Sequence, residues 1–392
     1  MVANLPMEVL GMHNAYEDLA IHLSTLGMGL PYREELLGIL REHLTPEEAE
    51  VLVLLPTRVA PFRPVSVDEI ADQAGIPRQK LAGMFESLAE RGMLFSGKTE
   101  EGGKGYALQQ VGFGFPQTFF WKGEDTPHAR HMANIIPRYF GREVTAEAWG
   151  ASQTKPYRYI PPHDAMDHDT MQAVLPFNSM EKVLQQAKTF AVAHCPCRMM
   201  MVLRDRPCEH PLENCLKFDE LAEYLIERGL GRAITREEAF QIVKESAEAG
   251  LVHFVDNAVG DIKHNCNCCG CACWNVGSIR RRKIPRDVLM ATYFMRDTDE
   301  KICSGCGDCV KICPVAALTV EDGTAAVDEE WCIGCGVCVP RCSTGAAKLK
   351  LRADKVDHMP PADFEKLHQR ILMEKGLDRP DPMPVPRPGG GG

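Results

Sequence analysis

Seventeen cysteines stand in 392 residues, and their spacing says more than their number. Eight form two runs of one pattern, Cys303-x2-Cys306-x2-Cys309-x3-Cys313-Pro314 and Cys332-x2-Cys335-x2-Cys338-x3-Cys342. Nine more come earlier: Cys195 and Cys197 in HCPCR, Cys208 and Cys215 in CEHPLENC, then Cys266, Cys268, Cys269, Cys271 and Cys273 in HNCNCCGCACW. Thiolate at this density points to metal ligation. A disulfide role fits poorly, because a chain of this length that is 45% hydrophobic can build its own cores, and the cysteine count is odd. The segment MVANLPMEVLGMHN lacks the basic and apolar regions of a secretory signal, so we expect a reducing, cytoplasmic setting in which thiols persist. No run of about 18 apolar residues suits a bilayer span.

The elements that must position these residues are partly legible. Residues 1–42 read as helical. Thr45, Pro46 and Glu48 form a capping box at a helix start, and Ser66 with Glu69 repeats it before a helix that Gly75 ends. A second helix carries Leu81, Met84, Phe85 and Leu88 at helical spacing and closes at Gly92. Two strand-like runs, MLFSG and YALQQV, then flank KTEEGGKG, a hairpin signal. This order over roughly 45–112 resembles a winged helix-turn-helix domain. DNA binding and protein contact are both open to such a module; seven basic against seven acidic side chains in 58–104 favour contact. Farther on, His128 and His131 share a probable helix, and His163 and His168 follow, but no regularly spaced third ligand completes a site. Two helices, FDELAEYLIERG and ITREEAFQIVKESAEAG, lie between the cysteine groups, and an antiparallel pair of them would bring those groups together. The tail from Pro380 should be disordered.

The paired runs resemble the bacterial two-cluster ferredoxin domain over about 298–350. That resemblance implies crossed ligation. Cys303, Cys306, Cys309 and Cys342 would hold one 4Fe-4S cluster, and Cys332, Cys335, Cys338 and Cys313 the second. Gly305, Gly307, Gly334 and Gly336 would let the backbone approach the sulfides. Ser343 departs from the pattern, standing where proline follows the fourth cysteine. More widely, HCPCR, CEHPLENCL, GRAITREEA, GLVHFVDN and NCNCCGCAC are similar to blocks of a family of 4Fe-4S binding proteins from anaerobic bacteria, over about 45–350. The family implies electron transfer, with one or two further iron-sulfur clusters on the nine central cysteines. Ala272 stands where many relatives carry cysteine. Adjacent Cys268 and Cys269 point to different sides in extended backbone, so they can serve different groups. Structural zinc among reduced thiols is the alternative.

The expected architecture is α+β: a winged-helix-like part (1–112), a cysteine-rich, mostly helical middle (113–297), a two-cluster ferredoxin part (298–352), and a C-terminal helix with its tail (353–392). The expected function is a relay of electrons between a low-potential carrier and a partner oxidoreductase complex. Rival readings are a redox-responsive DNA-binding regulator and a reductase with chemistry at the central cysteines. No GxGxxG fingerprint supports direct nicotinamide oxidation. Arg280, Arg281, Arg282, Lys283 and Arg286 gather in a chain of net charge -10, either as a solvated face, as a counter-charge to thiolates, or to steer an acidic carrier.

Overall fold

The computed structural model describes residues 14–165, 178–355 and 359–378. His168 and the tail from Pro380 lie outside the described residues. The N-terminal part begins with α1 (Ala15–Ser24), α2 (Glu34–His43) and α3 (Pro46–Leu52), whose Thr45 and Glu48 satisfy each other's backbone N-H groups as the sequence predicts. Ser66 and Glu69 do the same for α4 (Val67–Ala74), which stops at Gly75 in the left-handed conformation, φ 63°. Helix α5 (Arg78–Glu90) leads into the antiparallel hairpin β1 (Leu94–Lys98) and β2 (Lys104–Leu108). Two further helices, α6 (Pro127–Tyr139) and α7 (Arg142–Gly150), precede the region of the central cysteines.

That region corrects the expectation of a mostly helical middle. Its organising element is a sheet of seven strands, ordered β6-β4-β5-β8-β7-β3-β9. In chain order the elements are β3 (Tyr157–Ile160), α8 (Met180–Gln186), β4 (Phe190–His194), α9 (Pro196–Leu203) and β5 (Glu213–Phe218). There follow α10 (Asp219–Glu227), β6 (Arg232–Ala233), α11 (Arg236–Glu248), β7 (Val252–Asp256), β8 (His264–Cys268), α12 (Val276–Arg280) and β9 (Met290–Ala291). The pairs β4·β5, β5·β8, β8·β7 and β7·β3 are antiparallel, and β3·β9 is parallel.

Side chains alternate across a strand, so the register decides which residues share a face. One face carries Ile160, Phe190, Val192, Leu216, Phe218 and Val255, and packs on Val183 and Leu184 of α8 and Ala239 of α11. The opposite face presents Cys215 and Lys217 of β5 beside His264, Cys266 and Cys268 of β8. The sheet, not a helical pair, therefore joins the two cysteine groups: β5 carries one, β8 the other, and they are neighbours.

The C-terminal part pairs β10 (Phe294–Thr298) with β13 (Ala347–Leu351), and between them lie α13 (Asp308–Ile312) and the hairpin β11 (Leu318–Glu321) and β12 (Thr324–Val327). Helix α14 (Phe364–Glu374) returns to the core, with Leu367 and Ile371 completing the apolar side of the large sheet. Among the described residues no helix is long and apolar enough to cross a membrane.

Candidate metal centre

Cys313 closes the first cysteine run, yet its charge acts on Cys332, Cys335 and Cys338 of the second. Cys309 instead has Cys306 as its neighbouring sulfur. The pairing Thr298↔Ala347 brings the chain entering Cys303 beside the chain leaving Cys342. Backbone N-H groups point at the sulfurs: Ala317 donates to Cys313 Sγ at 3.3 Å and Ala347 to Cys342 Sγ at 3.4 Å. Burial pushes the thiol of Cys335 well up and that of Cys338 to about 12, so a positive group is needed to hold these thiolates. The iron of a cluster meets that need. Gly334 sits at φ +60, and a Cβ there would lie 2.0 Å from the Phe294 carbonyl oxygen, so the tight turn between Cys332 and Cys335 requires glycine.

Residues 302–346 match the family model of the 4Fe-4S dicluster domain. The chain carries this electron-transfer module. No curated protein and no solved structure matches the chain. All eight cysteines of the two runs fall inside the matched dicluster domain.

Outside it, the nine central cysteines separate into two groups. Six sulfurs form a line in which neighbours are close enough to share protons: Cys195, Cys197, Cys273, Cys268, Cys266 and Cys215. Cys268 and Cys273 bring their Sγ atoms to 3.3 Å. Six crowded sulfurs, four of them on buried cysteines, cannot all ionise together. Contacts with Cys197, Cys215 and again Cys197 hold Cys195, Cys266 and Cys273 below the ordinary thiol range, while their sulfur neighbours push Cys197, Cys215 and Cys268 up. Cys195 stands at the N-cap position of α9 and Cys197 in its first turn.

Cationic side chains that the motifs gave no reason to single out surround this line. Arg198 is 1% exposed, hydrogen-bonds the sulfur of Cys269 and feels the charge of Cys195 and Cys268, while donating to the backbone carbonyl of Asn267 and to Asn214 Oδ1. Lys217 is 2% exposed, lies over the Trp121 ring at 5.3 Å and faces Cys215 and Cys266. Burial works against the charge on His264, but Asp256 at 2.8 Å and Cys266 overcome it and raise the imidazole to about 9. Buried cations next to sulfurs are costly unless the sulfurs carry negative charge.

The other three cysteines, Cys208, Cys269 and Cys271, gather with His210 apart from this line. Cys268, the last residue of β8, and Cys269, which follows it, fall in different groups.

Arg280, Arg281, Arg282 and Lys283 are exposed and Arg286 is half-buried, so the basic run faces solvent while its arginines also reach main-chain carbonyls. Arg280 donates to the Cys313 carbonyl at 3.1 Å, Arg282 to Val315 and Ala316 at 2.7 and 2.8 Å, and Arg286 to Cys332 at 2.6 Å. Arg281 holds the Cys271 carbonyl at 3.2 Å. These guanidiniums join the central cysteines to the dicluster domain and place positive charge beside its thiolates. Gly270, between Cys269 and Cys271, belongs to the same contact, since a Cβ there would lie 2.0 Å from the Pro314 carbonyl oxygen. Gly270→Ala should therefore unseat the loop, at about 1–3 kcal/mol. Amide exchange of residues 268–274 and 313–317 should quicken together. Unchanged protection in both segments would mean that this contact does not hold the loop.

Buried Tyr159 on β3 lies among Cys268 and Cys273 of the central line and Cys335 of the dicluster domain. The histidine reading of the sequence also changes. His43 and Glu42 of α2 join the α6 histidines, with His43 Nε2 3.0 Å from His128 Nε2 and His131 Nε2 3.0 Å from Glu42. Glu42, His43 and His128 bring their ligand atoms within 4.8 Å of one another, so α2 supplies partners that the spacing of the α6 histidines did not show, and His43 Nδ1 is held by the Ile39 carbonyl at 2.8 Å. His163 lies elsewhere, in the short 3-10 turn His163–Ala165.

Proposed function

We propose that this protein is a multicluster iron-sulfur relay, passing single electrons between a low-potential carrier and a partner oxidoreductase, in the cytoplasm. One observation carries the reading: the turn that carries Cys269 and Cys271 packs on the chain just after Cys313, with Gly270 so close that a Cβ would lie 2.0 Å from the Pro314 carbonyl oxygen, so the central cysteines and the matched dicluster domain are neighbours. Bound 4Fe-4S clusters supply one-electron chemistry. The chain's own residues hold the thiolates, neutralise them with Arg198, Lys217 and the arginine run, and keep water from the inner groups. The six-sulfur line is the proposed seat of a further cluster, its ligands drawn from Cys195, Cys197, Cys215, Cys266, Cys268 and Cys273.

A reductase with chemistry at the central cysteines would need substrate access. Cys215, Cys268 and Cys273 are each 4% exposed, and of the nine central cysteines Cys271 alone is exposed. A cleft of about 650 Å³ between the β1–β2 hairpin and α10 is lined by groups such as Ser96, Lys98, Asp219 and Glu223 and by no cysteine. The regulator reading gains no support either. We read 45–112 as a winged-helix-like contact module whose basic residues are engaged: Arg78 with Asp68, Lys80 with Glu47, and Arg91 with Glu48. Arg228, next to α10, donates to Glu86 of α5 and to Ser96 of β1, tying the module to the sheet region.

Anaerobic purification should give about 12 iron atoms and as many acid-labile sulfides per chain, eight from the dicluster domain and four from the central line. A count of about eight would remove the third cluster. A salt-sensitive, sequence-selective DNA footprint that changes on reduction would favour the regulator instead.

A further inference from the structure

The iron-sulfur reading leaves a group of four ligands beside the central line without a task. Cys208 and His210 lie on the loop between α9 and β5, and Cys269 and Cys271 lie on the turn after β8. Their four ligand atoms, three Sγ and one imidazole nitrogen, are all within 4.8 Å of one another, with Cys271 Sγ 3.9 Å from His210 Nδ1. We propose that these four residues form a separate mononuclear site for one tetrahedral divalent ion of the zinc class.

Size decides between one ion and a cube. With metal-sulfur bonds of about 2.3 Å and metal-nitrogen bonds of about 2.0–2.1 Å, tetrahedral ligands sit roughly 3.5–3.8 Å apart, which suits this quartet. A cubane binds its four ligands on four different irons and spreads them farther apart. The same protein offers the comparison. Among the described residues, neither ferredoxin set places even three of its sulfurs mutually within 4.8 Å, whereas Cys208, His210, Cys269 and Cys271 all meet that limit. The donor set is closed, with four protein ligands, and mixed sulfur and nitrogen, as structural zinc prefers.

The surroundings fit an ion at the rim of the molecule. Cys269 is buried, Cys208 and His210 are half-buried, and Cys271 is exposed. Ala272 N donates to Cys269 Sγ at 3.4 Å, and Arg198 also reaches that sulfur. An ion here would staple the 204–212 loop to the turn that presents Cys268 and Cys273 to the six-sulfur line. It would also brace Gly270 against Pro314. Its role is positional: it holds the central sulfurs against the dicluster domain without itself changing oxidation state.

The test uses the anaerobically purified full chain. Metal analysis should find about one zinc per chain beside the iron. Protein produced with cobalt should show thiolate-to-cobalt charge-transfer bands and the visible bands of a tetrahedral ion. His210→Cys should keep the ion and shift those bands. His210→Ala and Cys271→Ala should lower zinc retained after dialysis against a chelator at least about tenfold, with iron and sulfide unchanged. His210→Cys guards against a variant that merely fails to fold, because it changes a ligand and preserves the site. Wild-type protein without zinc would overturn the proposal. So would a loss of about four iron atoms in Cys271→Ala, since that outcome makes the quartet a cluster seat. Neither result touches the relay reading, which rests on the iron of the six-sulfur line and is reported by Cys215.

Discussion

Replacing Cys313 with alanine should strip the cluster of the second cysteine run and spare that of the first, although Cys313 stands in the first run. The reason is spatial. Its neighbouring sulfurs are Cys332, Cys335 and Cys338, and its Sγ receives the Ala317 N-H at 3.3 Å. Iron should fall from about 12 to about eight atoms per chain. The reduced protein's paramagnetic resonance spectrum should match that of Cys335→Ala and differ from that of Cys306→Ala. Cys342→Ala should give the reciprocal result and resemble Cys306→Ala. If Cys313→Ala instead matched Cys306→Ala, the ligand sets would follow sequence order.

The features legible in the sequence were those written in local chemistry. Thr45 with Glu48, and Ser66 with Glu69, announce their helices because a capping box needs only four consecutive residues. The paired cysteine runs are equally local. The large sheet was hidden for a specific reason: on β8 the alternating positions are His264, Cys266 and Cys268 against Asn265 and Asn267, so no apolar-polar period marks a strand. Without that sheet, the sequence offers the antiparallel pair of flanking helices as a means of joining Cys215 to Cys266.

Other parts of the site depend on long-range contacts. His210 reads as part of a loop until the structure brings it to Cys271 across 61 positions. Arg198 and Lys217 look like ordinary charges in HCPCR and NCLKF; their burial beside sulfur gives them meaning. The arginine run was visible, but its targets were not. They are main-chain carbonyls near Cys313 and Cys332, which no side-chain pattern records.

The second large effect should follow Cys215→Ala. Cys215 ends the six-sulfur line on β5, is 4% exposed and lies beside Cys266, whose contact pushes its thiol up. Its loss should remove the central cluster, about four iron atoms, while both dicluster signals persist. Electron delivery to the partner should then cease even though the complex still forms. A second consequence is structural. Lys217 is buried and its charge is sustained by the sulfurs of Cys215 and Cys266 against the cost of burial, so removing one of them can destabilise the sheet by about 3–5 kcal/mol. The Lys217→Met background separates the two effects. There the buried charge is gone, so Cys215→Ala should recover most of the lost stability in chemical unfolding but none of the missing iron. Restored iron would show that Lys217, rather than the thiolate, governs the site. Full iron and full electron delivery in the single variant would reduce the sulfurs of β5 and β8 to packing, and the relay would end at the dicluster domain.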